Sequence, residues 1–147
     1  MRMHHTGIVV SDLDQMVAFY SEQLGMTVKG RLESVAPAEG NHTGVPAAKR
    51  TLVFLADSQQ DGHLMELVHY HEPKATEGHL DKLQLGVMHI CFHVDDVQEQ
   101  YERLQRAGVR FETPPKYSGA GDDRLGIVYA RDPEGNWLEF LEGPLHF

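Results

Sequence analysis

Apolar and polar positions along the chain change period twice, in the same order each time. Met3 to Val10 (MHHTGIVV) is a short run rich in Ile and Val, after which Leu13, Met16, Val17 and Tyr20 recur at helical spacing. Ser11 or Asp12 is placed to cap that helix, and Gly25 to end it. Three strand candidates follow, Met26 to Val35, Arg50 to Ala56 and His63 to Tyr70, the last two joined by a turn at Asp57 to Gly62. Then the order restarts. A strand from Val87 to Val94 precedes a helix from Asp96 to Ala107, capped by Asp95 or Asp96. A strand from Val109 to Thr113 and two strands flanking the turn Asp132-Pro133-Glu134-Gly135 complete it. The unit is β-α-β-β-β, used twice: module 1 covers about 3–72 and module 2 about 86–143 of a single domain, 1–147. Lys74 to Leu85 connects them and is expected to include a short helix.

The residues themselves repeat. HTGIVVSDLDQMVAFYSEQLGM, from His5, lies over HICFHVDDVQEQYERLQRAGV, from His89, with Val10 on Val94 and Asp12 on Asp96. One residue of slippage then brings Gly25 onto Gly108. DGHLMELVH, from Asp61 to His69, lies over EGNWLEFLE, from Glu134 to Glu142, placing Gly62 on Gly135 and Glu66 on Glu139; LVFLAD (Leu52 to Asp57) pairs with IVYARD (Ile127 to Asp132). The offset is 84 at the histidines and 73 at the glutamates, so the first half carries about eleven extra residues. The Pro- and Gly-bearing stretch Ala36 to Ala48 is the expected place, as a loop.

Side chains alternate across a strand, so His5 shares a face with Gly7 and Val9, and His89 with Cys91 and His93, both opposite the apolar set that lies under a helix. Glu66 and Glu139 are lone acids among apolar neighbours, and a carboxylate there must be paired or bound. If the two modules pack side by side around a shared concavity, the repeat carries His5, Glu66, His89 and Glu139 to equivalent positions lining it. Two imidazoles and two carboxylates suit divalent Zn, Ni, Co, Mn or Fe, with two octahedral positions left for water or a chelating substrate.

Composition narrows the function classes. The chain has 147 residues, 41% apolar and 24% charged, which is ordinary for a globular domain. A formal charge of −9 without a basic cluster argues against nucleic acid. No stretch has the length of a membrane span, and the N-terminal residues lack the apolar core of a signal peptide. The lone cysteine, Cys91, has no partner for an intrachain disulfide, and cytoplasm is the default compartment.

HTGIVVSDLD, MELV, HICFHVDDV and DPEGNWLEF resemble the vicinal oxygen chelate superfamily, which includes glyoxalase I, methylmalonyl-CoA epimerase, extradiol dioxygenases and the fosfomycin- and bleomycin-resistance proteins. The resemblance runs from about Met3 to Glu142 and implies an α+β fold, two βαβββ modules forming a half-open eight-stranded barrel with helices outside. It also implies that His5, Glu66, His89 and Glu139 are metal ligands of the glyoxalase I and epimerase type, with Glu139 the catalytic base and Glu66 the second candidate. The expected activity is that of a metal-dependent lyase or isomerase. It would act by proton abstraction next to the carbonyl of a small substrate, of which a glutathione adduct or a coenzyme A thioester is one kind. The alternatives are an extradiol-type dioxygenase with Fe(II), using three of the four ligands, and a non-catalytic antibiotic-binding protein. No organic cofactor is implied, and a homodimer is expected.

Other residues keep two readings. His4 replaces His5 if the register slips by one, whereas His42, His63, His69, His71, His79 and His146 read as satisfied core or surface groups. His93 is either pocket wall or solvated. Cys91 reads as a small buried hydrophobe rather than a nucleophile, and Trp137 as pocket lining or core. Lys49, Arg50, Lys116 and Arg124 either hold an anionic tail of the substrate or are solvated charge, with solvated charge favoured. The loop Ala36 to Ala48 and the segment Pro114 to Asp123 either move over a bound substrate or merely connect.

Overall fold

The computed structural model describes residues 2–57, 62–76 and 78–144 of an α+β protein. The central part of the turn expected at Asp57 to Gly62, Glu77 of the connector, and His146 lie outside the described residues. The chain divides into two compact units, Met1–Glu77 and Gly78–Phe147.

In the first unit, strand β1 (His5–Val10) leads into helix α1 (Leu13–Ala18), which continues as a π-helical turn (Phe19–Gln23). Strands β2 (Thr27–Val35), β3 (Lys49–Ala56) and β4 (Leu64–Glu72) follow. They form a sheet in the order β1-β4-β3-β2, β1 running parallel to β4 and the other pairs antiparallel. The expected loop, 36–48, spans the whole interval between β2 and β3, and Ala36 N–H donates to Ala48 O at 2.8 Å to close its root.

The second unit repeats the plan. Strand β5 (His89–His93) precedes helix α2 (Val97–Arg106), short strands β6 (Arg110–Phe111) and β7 (Lys116–Ser118), then β8 (Leu125–Arg131) and β9 (Trp137–Glu142). The order is β5-β9-β8-β6 with β7 also on β8, and β5 runs parallel to β9. Here the third strand of the repeat is split. Strand β6 pairs with Arg131 and Ala130, and β7 with Ile127 to Leu125, so both lie along one edge of β8. The interruption holds Pro114 and Pro115, which have no N–H to give a ladder. The strand expected from Val109 to Thr113 is therefore shorter, and Lys116 to Ser118, expected within a loop, is a strand. The connector corrects another expectation: among its described residues it forms turns, with Gln84 N–H donating to Asp81 O and Val87 N–H to Gln84 O, and no helix.

The helices show why the repeat slips by one residue. Asp12 and Asp96 cap them, each carboxylate accepting the N–H three residues on, Gln15 at 3.0 Å and Glu99 at 2.8 Å. The first helix then takes up one extra residue in a π-helical turn, where Leu24 N–H donates to Phe19 O, five residues back. Both chains leave through a glycine in the left-handed region, Gly25 and Gly108. Helix α1 buries Leu13 and Met16, followed by Phe19 and Tyr20 in the π turn. Helix α2 buries Val97 and Leu104, and its Tyr101 ring packs edge-on to Phe111 at 4.8 Å, which together with Phe92 flanks Phe140. A buried leucine such as Leu104 contributes about 2 kcal/mol of transfer free energy. Among the described residues, no helix is long and apolar enough to cross a membrane.

Candidate functional site

Alternation in β1 leaves His5, Gly7 and Val9 exposed and Val10 buried, and in β5 it leaves His89, Cys91 and His93 exposed. The histidine faces are thus the ones expected. The parallel pairing sets the rest: Gly7 stands opposite Glu66 across β1 and β4, and Cys91 opposite Glu139 across β5 and β9. His5 Nε2 lies 3.5 Å from Glu66 Oε2, and His89 Nε2 lies 2.8 Å from Glu139 Oε2. His4 points elsewhere, its Nδ1 2.9 Å from Nδ1 of His5, so His5 is the member of the pair brought to a carboxylate.

Strand β9 is aimed by the turn before it, and each carboxylate is flanked by an aromatic. Asp132 is buried at the turn before β9, where its carboxylate accepts from the N–H groups of Glu134 and Asn136 and from the Asn136 amide. Gly135 takes a positive φ of 91° there. On the far side of each glutamate stands a ring, Phe54 opposite Glu66 and Tyr129 opposite Glu139. Each ring meets its histidine edge-on, at 6.2 Å for His5 and Phe54 and 5.5 Å for His89 and Tyr129. The Tyr129 hydroxyl donates to Glu139 Oε2 at 3.2 Å. Neither ring was singled out from the sequence, although Phe54 and Tyr129 coincide in the pairing of LVFLAD with IVYARD.

The two glutamates are withdrawn from water, with side-chain exposures of 15% for Glu66 and 10% for Glu139, and among the described residues no Lys or Arg pairs with either. The charge at Glu139 is felt nearby. Burial, and then the Glu139 charge and hydrogen bond, push the Cys91 thiol up to about 11, and the same causes raise the Tyr129 phenol. Cys91 as a residue is exposed, not buried as expected, but its thiol is partly withdrawn from water and, raised, is a poor nucleophile.

The four predicted ligands therefore come together as two His–Glu pairs, one within each unit. Among the described residues no group of three or more His, Cys, Asp or Glu side chains stands in metal-holding arrangement. The donor chemistry of each pair still fits half of a divalent site: an imidazole nitrogen beside a carboxylate that lacks a cation.

The remaining candidates separate. His93 Nε2 bonds Gly143 O, His63 Nε2 meets the Thr6 hydroxyl, and His71 Nε2 meets that of Thr51, so each has a local partner. Trp137 is buried between two cations, Arg131 at 3.2 Å and Lys82 at 4.5 Å from its ring centre. Lys49 pairs with Glu72, and Arg124 pairs with Glu142 and lies over the Tyr117 ring. Lys116 is exposed; Arg50 is buried.

Comparison with known proteins points one way. A family model described as the Glyoxalase/Bleomycin resistance protein/Dioxygenase superfamily matches residues 2–140. A lactoylglutathione lyase from Haemophilus influenzae is 30% identical over 97% of this chain and 93% of its own length. One from Neisseria meningitidis is 28% identical over 97% of this chain and 91% of its own. Among solved structures, a glyoxalase family protein from Bacillus cereus superposes with a TM-score of 0.83 at 23% identity, covering 97% of this chain and 93% of that one.

Proposed function

Since the chain belongs to the Glyoxalase/Bleomycin resistance protein/Dioxygenase superfamily, we propose that it is a metal-dependent lyase or isomerase of the glyoxalase type. Its substrate is a small carbonyl compound, in the first instance a glutathione thioester or adduct. The observation that carries this reading is the duplicated His–Glu pair, in which each carboxylate is withdrawn from water without a basic residue to offset it. The lactoylglutathione lyases named above support the substrate class.

His5 with Glu66, and His89 with Glu139, would hold one divalent ion, the two pairs drawn from one chain or from two copies in a homodimer. A bound ion of this kind supplies a Lewis acid that offsets charge developing on a substrate oxygen. Glu139 is the base: it takes the proton next to the carbonyl and returns it to the neighbouring carbon in isomerisation, whereas in epimerisation Glu66 would give a proton to the opposite face. Tyr129 supports that assignment because its hydroxyl gives the Glu139 carboxylate a partner while the glutamate handles the proton. Glu66, whose side-chain partner among the described residues is His5, is the second candidate.

Elemental analysis of the purified protein tests the reading, beside His5→Ala and Glu139→Gln variants. About one Ni, Co, Zn, Mn or Fe per chain, reduced in both variants, is the expected result. Protein that takes up no ion on reconstitution would return the antibiotic-binding alternative to first place.

A further inference from the structure

Arg50 is a buried charge that the proposed reaction leaves unused. Only 7% of the residue is exposed, and among the described residues its Nε–H has no acceptor. Its contacts are one bond from Nη2 to the Ser34 hydroxyl at 3.2 Å and the Tyr70 ring 5.6 Å from the guanidinium carbon. The nearby carboxylates are engaged elsewhere: Glu33 accepts from Thr51 and pairs with Arg31, and Glu72 pairs with Lys49. Among the described residues, then, no carboxylate forms an ion pair with Arg50. An unpaired guanidinium withdrawn from water is costly, and an oxyanion bound there offsets that cost through charge and the fork of N–H donors.

The placement links this cation to the half-site. In β3, Arg50 stands opposite Tyr70 and Phe54 opposite Glu66, an even separation that puts Arg50 on the sheet face carrying Phe54 and Glu66. Four residues of strand separate Arg50 from Phe54, roughly 13 Å. The root of the 36–48 loop lies alongside, where Ala36 and Ala48 bond just beyond the Ser34–Arg50 pair.

We propose that Arg50 is an oxyanion receptor that holds a carboxylate or phosphate of the substrate. The substrate would then be an acid whose reacting oxygens and anionic group are separated by on the order of 10 Å. This deepens the reading above and rests on it for the word substrate, but the anion site itself is testable without any metal.

The test uses the full-length protein stripped of metal, following the Arg50 Nε–H resonance by nitrogen–proton correlation during titration with succinate or inorganic phosphate, with chloride as control. The signal is assigned by its absence in Arg50→Met, or from Arg50→Lys should the methionine variant not fold. Saturable movement with succinate alone identifies a carboxylate site, with phosphate alone a phosphate site, and with both a general oxyanion site. Arg50→Lys, which keeps charge but loses the fork, is expected to weaken binding by at least roughly tenfold, read from anion-dependent melting. A resonance unmoved by either anion overturns the proposal. The two readings fail separately: protein that loads a divalent ion but shows no Arg50 response refutes only the anion receptor, and the converse refutes only the metal site.

Discussion

The two units carry the same histidine and glutamate in the same register but surround the glutamate differently. Around Glu66 the cross-strand neighbours are Gly7 and Phe54, neither of which has a side-chain donor. Around Glu139 they are Cys91 and Tyr129, and the Tyr129 hydroxyl donates to the carboxylate. The His–Glu distance follows suit, 3.5 Å in the first unit and 2.8 Å in the second. Backbone pairing fixed once by the repeated pattern thus reproduces the position of the glutamate, while the side chains on adjoining strands set how firmly it is held. Two copies of one geometry thereby have unequal surroundings, and the proposed roles differ with them.

The largest effect expected from that inequality is on turnover. Glu139→Gln keeps the size and hydrogen-bonding ability of the side chain but removes the proposed base, so kcat should fall by about 10³-fold. Glu66→Gln should lower kcat less and act mainly by weakening metal uptake. Both are read from the rise in thioester absorbance as lactoylglutathione forms from its isomeric hemithioacetal, alongside metal content. Equal losses in the two variants would break the assignment of unequal roles, and a larger loss in Glu66→Gln would reverse it.

How much of this was legible in the sequence depends on the range of the interaction. His5 and His89 were placed on the correct faces because alternation within one strand is local, and the loop at 36–48 followed from the difference in offset between the ends of the repeat. Strand order is not local. That β4 lies between β1 and β3, and β9 between β5 and β8, brings Phe54 and Tyr129 to the glutamates, and no pattern within either strand announces it. Arg50 was favoured as solvated charge because arginine mostly is; its burial depends on neighbours in β2 and β4. The extra residue in the first helix showed as a slip, but its accommodation in a π turn is a matter of backbone bonding.

A more moderate effect tests the aromatic pair. Tyr129→Phe makes the second half-site resemble the first, removing the donor to Glu139 while keeping the ring beside His89. Supporting hydrogen bonds around metal ligands contribute about tenfold or more in affinity, so metal binding should weaken by roughly tenfold with little change in melting temperature. Phe54→Tyr is the mirror experiment, expected to tighten binding by giving Glu66 the donor it lacks. A Tyr129→Phe variant that binds metal as the wild type does would show that the difference between the half-sites has no bearing on the ion.

The smallest effect is expected at Gly7, the counterpart of Cys91. A Cβ built on Gly7 lies 3.2 Å from Glu66 Oε2 and meets no other heavy atom within 4 Å outside its chain neighbours. Its backbone is not in the left-handed region, so alanine costs nothing in φ and ψ and should add a few tenths of a kcal/mol by restricting the unfolded chain. The Glu66 carboxylate must then give by a few tenths of an ångström. Gly7→Ala is therefore expected to melt at or slightly above the wild-type temperature while binding metal a few-fold more weakly, and Cys91→Ala, which adds no atom beside Glu139 but removes the thiol bonded to it, to weaken metal binding less than Tyr129→Phe does. Separation of stability from affinity at Gly7 is the informative result, because a packing role alone would move the two together. If both hold at wild-type values, the space at Gly7 does not control Glu66, and the contrast between the half-sites reduces to the donors beside Glu139, Tyr129 and Cys91.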